Sequence, residues 1–80
     1  MKHFENLWEE AEITVTKIGI KDPQAELHNN IDQLFLEQNK GRVFGRILCL
    51  LCYLSCKWEI NTFAALLHEI QNLKIEMMED

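Results

Sequence analysis

The sequence predicts an all-α protein, a compact four-helix bundle around a central apolar third helix. Apolar residues recur at helical spacing in three amphipathic segments, and a further segment, residues 43–58, is apolar in every direction around a helix. No segment alternates as a strand does, and the connections between segments are short. The 80 residues predict one domain, residues 1–80, with a small core.

The first predicted helix, residues 2–18, is amphipathic. Its apolar positions follow i, i+3, i+4, i+7 spacing: Phe4, Leu7, Trp8, Ala11, Val15 and Ile18. Gly19 is predicted to end it, because glycine takes a positive φ at little cost. Asp22 and Pro23 predict the start of the second helix, residues 23–38, with Asp as the cap and Pro in the first turn. Its inward positions are Leu27, Ile31, Leu34 and Phe35.

The third predicted helix carries no charge between Ile47 and Cys56, so we expect it to be buried on all sides. Asn61 and Thr62 predict the cap of a fourth helix that runs to near Met78. Its apolar positions keep the helical spacing: Phe63, Leu66, Leu67, Ile70, Leu73 and Met77.

Three small helices do not fully cover a helix that is apolar all round. Several further apolar residues also lie outside the core stripes of their own helices: Ile13, Ile20, Leu36, Ile60 and Ile75. We therefore expect leftover apolar surface on the monomer, which is typical of a homodimer or of a groove for a partner helix.

Charge and composition narrow the class of protein. A net charge of −5 argues against a general nucleic-acid binder or a binder of anionic membranes. We expect no transmembrane segment, because the apolar run is too short, and no cleavable signal at the N-terminus. The number of cysteines, three, is odd, which favours reduced thiols and an intracellular, cytoplasmic location.

Cys49, Cys52 and Cys56 share one stripe of the third helix with Gly45. A redox pair needs a helix N-terminus after a strand, and a zinc site needs a fourth ligand, for which only His68 is available. We favour a stripe of small residues that lets another helix approach closely. No metal, cofactor or catalytic residue is expected.

Two polar clusters have alternative interpretations. His28 and Asp32 are one turn apart and could share a metal, but such pairs are common on solvated faces. Four acidic residues of the first helix could be magnesium ligands: Glu5, Glu9, Glu10 and Glu12. Such a site needs carboxylates on the facing helix, and the third helix has none, so a solvated acidic face is favoured.

A basic patch interrupts this acidic protein. No acid occurs between Glu37 and Glu59, where four bases fall: Lys40, Arg42, Arg46 and Lys57. The two arginines could bind an acidic partner motif, or could pair with the chain's own glutamates. The predicted partner-binding residues are Arg42, Phe44, Arg46, Leu50, Tyr53 and Trp58.

Part of the chain resembles a known family. The residues concerned are Leu34-Phe35, Gly41, Phe44-Gly45-Arg46-Ile47-Leu48 and Leu50-Leu51-x-Tyr53. They resemble the BH1 region and central hairpin of Bcl-2-like apoptosis regulators, although Phe44 stands where Trp is usual and the chain is about half the family's length. The resemblance implies that Arg46 pairs with an acidic residue of a partner BH3 helix seated in an apolar groove.

The sequence thus predicts a small protein–protein interaction module without catalysis, which self-associates, binds an amphipathic partner helix, or does both. A Bcl-2-like apoptosis regulator is one alternative. The other is an acidic inhibitor or decoy of another protein, acting through Glu5, Glu9, Glu12 and the tail residues Glu76, Glu79 and Asp80.

Overall fold

The computed structural model describes residues 2–78, with side chains from residue 6 onward, and these residues form four α-helices. The helices are α1 (Lys2–Ile18), α2 (Pro23–Leu36), α3 (Lys40–Lys57) and α4 (Thr62–Met78). No strand occurs within this range, so the all-α prediction is confirmed. Along the same residues, no helix combines the length and apolar character needed to cross a membrane.

The boundary between α2 and α3 differs from the sequence prediction. α2 ends at Leu36 rather than Gln38, and α3 begins at Lys40 rather than Val43. The reason is Asn39, whose side-chain Oδ1 accepts a 3.1 Å hydrogen bond from the backbone N–H of Arg42. Asn39 thus caps α3, which places the start of this helix three residues before the predicted Val43.

The other predicted caps are confirmed. Asp22 Oδ1 accepts a hydrogen bond from the N–H of Ala25 at 3.1 Å, and Pro23 occupies the first turn of α2. Asn61 Oδ1 accepts from the N–H of Ala64 at 3.0 Å at the start of α4. Each cap satisfies a backbone donor that a helix N-terminus otherwise leaves unpaired.

Two helices end on a residue with left-handed backbone. Gly19, with φ of 72°, follows α1 and donates its N–H to Val15 O. Glu59, with φ of 54°, follows α3, and two hydrogen bonds close that turn: Ile60 N–H to Ser55 O at 2.8 Å and Glu59 N–H to Cys56 O at 3.2 Å. This is the Schellman motif, in which glycine is the usual left-handed residue.

Substitutions at Gly19 and Glu59 are expected to change the free energy of unfolding in opposite directions. Gly19→Ala is expected to lower the free energy of unfolding by about 1 kcal/mol, because a Cβ there meets no atom within 4 Å and only the backbone conformation is penalised. Glu59→Gly is expected to raise it by up to about 1 kcal/mol by relieving the same penalty. Urea denaturation measures both. Equal stability of Gly19→Ala and the wild type would contradict the left-handed end of α1.

α3 is the centre of the fold, as predicted, and both α1 and α2 pack against it. The prediction that it is buried on all sides was wrong, because two packed helices leave Phe44, Leu48 and Leu51 exposed. The buried apolar residues are Val15, Val43, Leu50, Cys52 and Leu54. Trp8 Nε1–H of α1 donates to Ser55 Oγ at 3.4 Å, and Ser55 Oγ–H donates to Cys52 O at 2.8 Å. The first of these bonds joins α1 to the C-terminal half of α3, and the second lies within α3. We call α1, α2 and α3 the three-helix body.

α4 does not share in this core. It has no fully buried residue, and the extensive contacts among the described helices are those of α3 with α1 and α2. The radius of gyration is 14.7 Å, against about 12 Å for a compact 80-residue domain. The sequence predicted that the apolar side of α4 packs against the core around the third helix. Instead, the chain turns at Glu59 and α4 continues without packing along the body.

Candidate protein-interaction surface

α4 carries exposed apolar residues along one side, which we call the α4 stripe. Its members are Phe63, Leu66, Leu67, Ile70, Leu73 and Met77. Their exposed fractions range from 41% for Ile70 to 78% for Phe63. Because residues three and four apart share one side of a helix, the six side chains lie on one side of a helix about 25 Å long, and Lys74, four residues after Ile70, lies on the same side.

A second exposed strip lies on α3, and we call it the α3 stripe. Phe44, Leu48 and Leu51 follow i, i+4, i+7 spacing and are 54%, 43% and 43% exposed. Helical geometry places this strip between two buried flanks of α3, one containing Leu50 and the other Cys52. Ser55 continues the strip toward the C-terminus of α3, and the hydrogen bond from Trp8 shows that α1 covers it there. The α3 stripe is therefore apolar surface left open beside packed helices.

The α3 stripe continues at its N-terminal end into a shallow apolar hollow. Leu34, Phe35, Lys40 and Gly41 line this hollow together with Phe44. Phe35 is 78% exposed, and the apolar portion of the lining far outweighs the polar portion. The leftover apolar surface expected from the sequence is thus present on both α3 and α4.

The basic residues lie on another side of α3. Arg42 and Arg46 are each two positions from Phe44, which places them about 160° around the helix from it. On that side, Lys57 Nζ lies 5.9 Å from the centroid of the Tyr53 ring, within range of a cation–π contact. Among the side chains that the structure describes, neither arginine has a carboxylate within 4 Å, so the suggested internal pairing does not occur with these residues.

The structure divides the six predicted partner-binding residues into three groups. Phe44 belongs to the α3 stripe, and Trp58, 61% exposed, lies just beyond its C-terminal end. Arg42, Arg46 and Tyr53 lie on the basic side. The sixth, at position 50, is buried in the core and offers no accessible side chain.

The predicted partner-binding set does not include the exposed α4 stripe or the exposed residues Leu48 and Leu51. The signal for the α4 stripe was the helical spacing itself, which was interpreted as a core face. Spacing of this kind is the same whether a stripe covers its own core or a partner.

The three cysteines occupy different environments. Cys52 is buried, Cys49 is partly buried and Cys56 is exposed. Burial raises the pKa of the Cys52 thiol from its ordinary 9.0 to about 11, with smaller contributions from Cys49 and Cys56. A raised pKa disfavours the thiolate that redox chemistry and metal binding require. This environment supports a packing role for Cys52.

Thiol alkylation tests this placement. At neutral pH, iodoacetamide is expected to modify Cys56 fastest and Cys52 slowest, because a pKa raised by two units leaves about 100-fold less thiolate and burial blocks access. Mass spectrometry of the digested protein gives the three rates, and unfolding in urea should make them similar. Faster reaction at Cys49 and Cys52 than at Cys56 would instead indicate an activated pair.

The histidine and carboxylate side chains considered as metal ligands do not form a site among the described residues. Among the side chains at positions 6–78, no group of three or more His, Cys, Asp or Glu could hold a metal ion. His28, Asp32 and His68 are all exposed. The side chains of Phe4 and Glu5, and the tail residues Glu79 and Asp80, lie outside the described part of the chain.

Comparison with known proteins gave no match: no family model, no curated protein and no solved structure resembles the chain closely enough to be reported.

Proposed function

We propose that this protein is an interaction module that buries the α4 stripe and the α3 stripe against another polypeptide, in the first place a second copy of itself, and has no catalytic role. One observation carries the proposal: α4 presents six large apolar side chains on one side of a helix, and the described part of its own chain buries none of them fully. Single exposed apolar residues are ordinary on a protein surface, but a group of them on one side of a helix marks an interaction site.

The magnitude of the gain is sufficient for association. Fully burying one Leu, Ile, Phe or Met side chain is worth about 1.5–3 kcal/mol, so covering the six roughly half-exposed members of one α4 stripe is worth about 5–9 kcal/mol, and covering both stripes of a dimer about 10–18 kcal/mol. Association costs about 4–15 kcal/mol before any affinity is seen. The two α4 stripes together therefore support a dimer, and burial of the α3 stripe would strengthen it.

The molar mass in solution tests the proposal. Light scattering under reducing conditions, across a dilution series, is expected to approach twice the 9.5 kDa chain mass at high concentration. Added salt should change the midpoint little, because burial of apolar surface is not screened. A mass of one chain up to millimolar concentration would contradict self-association.

The acidic-decoy alternative predicts a different salt dependence. Its binding would depend on exposed carboxylates such as Glu9, and the attraction between exposed charges falls steeply as ionic strength rises. A complex that dissociates between low and moderate salt would therefore favour the decoy over the apolar module.

The open α3 stripe is the observation that favours the second candidate, a Bcl-2-like regulator. An apolar strip beside packed helices is the kind of surface that accepts an amphipathic helix. The family resemblance implies that Arg46→Glu abolishes binding of a BH3-type peptide. A peptide seated on Phe44, Leu48 and Leu51 should be almost insensitive to Arg46, which lies on the other side of α3. Fluorescence anisotropy of a labelled peptide with the wild type and with Arg46→Glu distinguishes binding through Arg46 from binding on the α3 stripe.

The proposed setting is a reducing compartment such as the cytoplasm. Cys49, Cys52 and Cys56 are all free thiols in the structure, and free thiols persist where glutathione and thioredoxin keep them reduced.

A further inference from the structure

We propose that the dimer forms by exchange of α4, in which the α4 stripe of each copy packs onto the α3 stripe of the other. This inference rests on the self-association proposed above and specifies its geometry. The rival geometry pairs α4 directly with α4 of the second copy and leaves the α3 stripe exposed.

Apolar surface favours exchange. In a two-fold dimer each contact between unlike surfaces occurs twice, so every copy contributes both its α4 stripe and its α3 stripe. Direct pairing of α4 buries the α4 stripe alone. Exchange therefore adds Phe44, Leu48 and Leu51 on each side, which moves the interface toward the roughly 800 Å² per partner found in stable complexes.

The connection between α3 and α4 is compatible with exchange. Only residues 58–61 separate the two helices, and two hydrogen bonds fix the turn at Glu59. In this conformation α4 makes no extensive contact with the described part of its own body, and the α3 stripe of the same chain stays open. The α4 stripe and the α3 stripe are thus exposed in the same conformation, as exchange requires.

A mixing experiment tests exchange. Ile70→Asp damages the α4 stripe and Leu48→Asp damages the α3 stripe, and each variant alone is expected to be monomeric by light scattering. Mixed in equal amounts, the two variants should form a heterodimer, because the Leu48→Asp copy supplies an intact α4 and the Ile70→Asp copy supplies an intact α3 stripe. One of the two contacts survives, so the heterodimer should be weaker than the wild-type dimer.

Each outcome is distinct. A full dimer of Leu48→Asp would overturn exchange and support direct α4 pairing, while self-association would stand. A monomeric wild type would overturn both proposals. Circular dichroism melts of the dilute variants confirm folding, and Leu51→Asp, on the same strip, replaces Leu48→Asp if that variant unfolds. A mixture of folded variants that remains monomeric would also contradict exchange.

Discussion

Replacing Leu50 with alanine is expected to lower the free energy of unfolding by about 2–5 kcal/mol. Leu50 is 3% exposed and lies in the middle of α3, where α1 and α2 pack. Truncation removes buried methyl groups and leaves a cavity that the surrounding helices fill only in part. An 80-residue domain has a total stability of about 4–12 kcal/mol, so this single change removes a large share of it.

Leu51→Ala is the matched control. It removes the same atoms from the next residue of the same helix, but Leu51 belongs to the exposed α3 stripe, so the expected loss is below about 1 kcal/mol. Both changes are best made in the Ile70→Asp background, where association does not contribute. Urea denaturation gives the two losses, and equal values would contradict the assignment of Leu50 to the core and Leu51 to the surface.

Ile70→Asp is expected to raise the dissociation constant of the dimer by 100-fold or more. Ile70 lies at the centre of the α4 stripe and is the least exposed of its six members. A carboxylate placed in an apolar interface loses its hydration without gaining a partner, which costs several kcal/mol. Each 1.4 kcal/mol corresponds to a factor of ten in affinity. Analytical ultracentrifugation over a concentration series measures the shift.

Asn72→Asp provides the control for that change. It introduces the same negative charge two residues later, about 160° around α4 from Ile70, and Asn72 is exposed. We expect its dimer to match that of the wild type. If Asn72→Asp dissociates as strongly as Ile70→Asp, added charge on α4 rather than damage to the α4 stripe is the cause.

Local signals in the sequence were enough to locate most helix ends. Asp22, Asn61 and Gly19 act through hydrogen bonds and backbone angles within a few residues, so their roles do not depend on the rest of the fold. The role of Asn39 was harder to predict, because this residue lies between two helices and asparagine can either end the first or cap the second. Only the bond from Arg42 N–H identifies it as the cap of α3.

The positions of the surfaces could not be predicted in the same way. Around a helix that is apolar in every direction, the sequence does not show which side meets a neighbour. Leu50 and Phe44 therefore entered one predicted binding set, although one is buried and the other exposed. The stripe on α4 posed the same difficulty, since a helix that covers a core and one that covers a partner carry the same pattern.

Hydrogen exchange at several protein concentrations tests the central claim, that α4 is covered by association and not by its own chain. Amides of α3 are expected to be protected at every concentration, because that helix is buried in the three-helix body. Amides of α4 should exchange rapidly in dilute protein and become protected as concentration rises. Strong protection of α4 at the lowest concentration, in a chain shown to be monomeric there, would contradict the account.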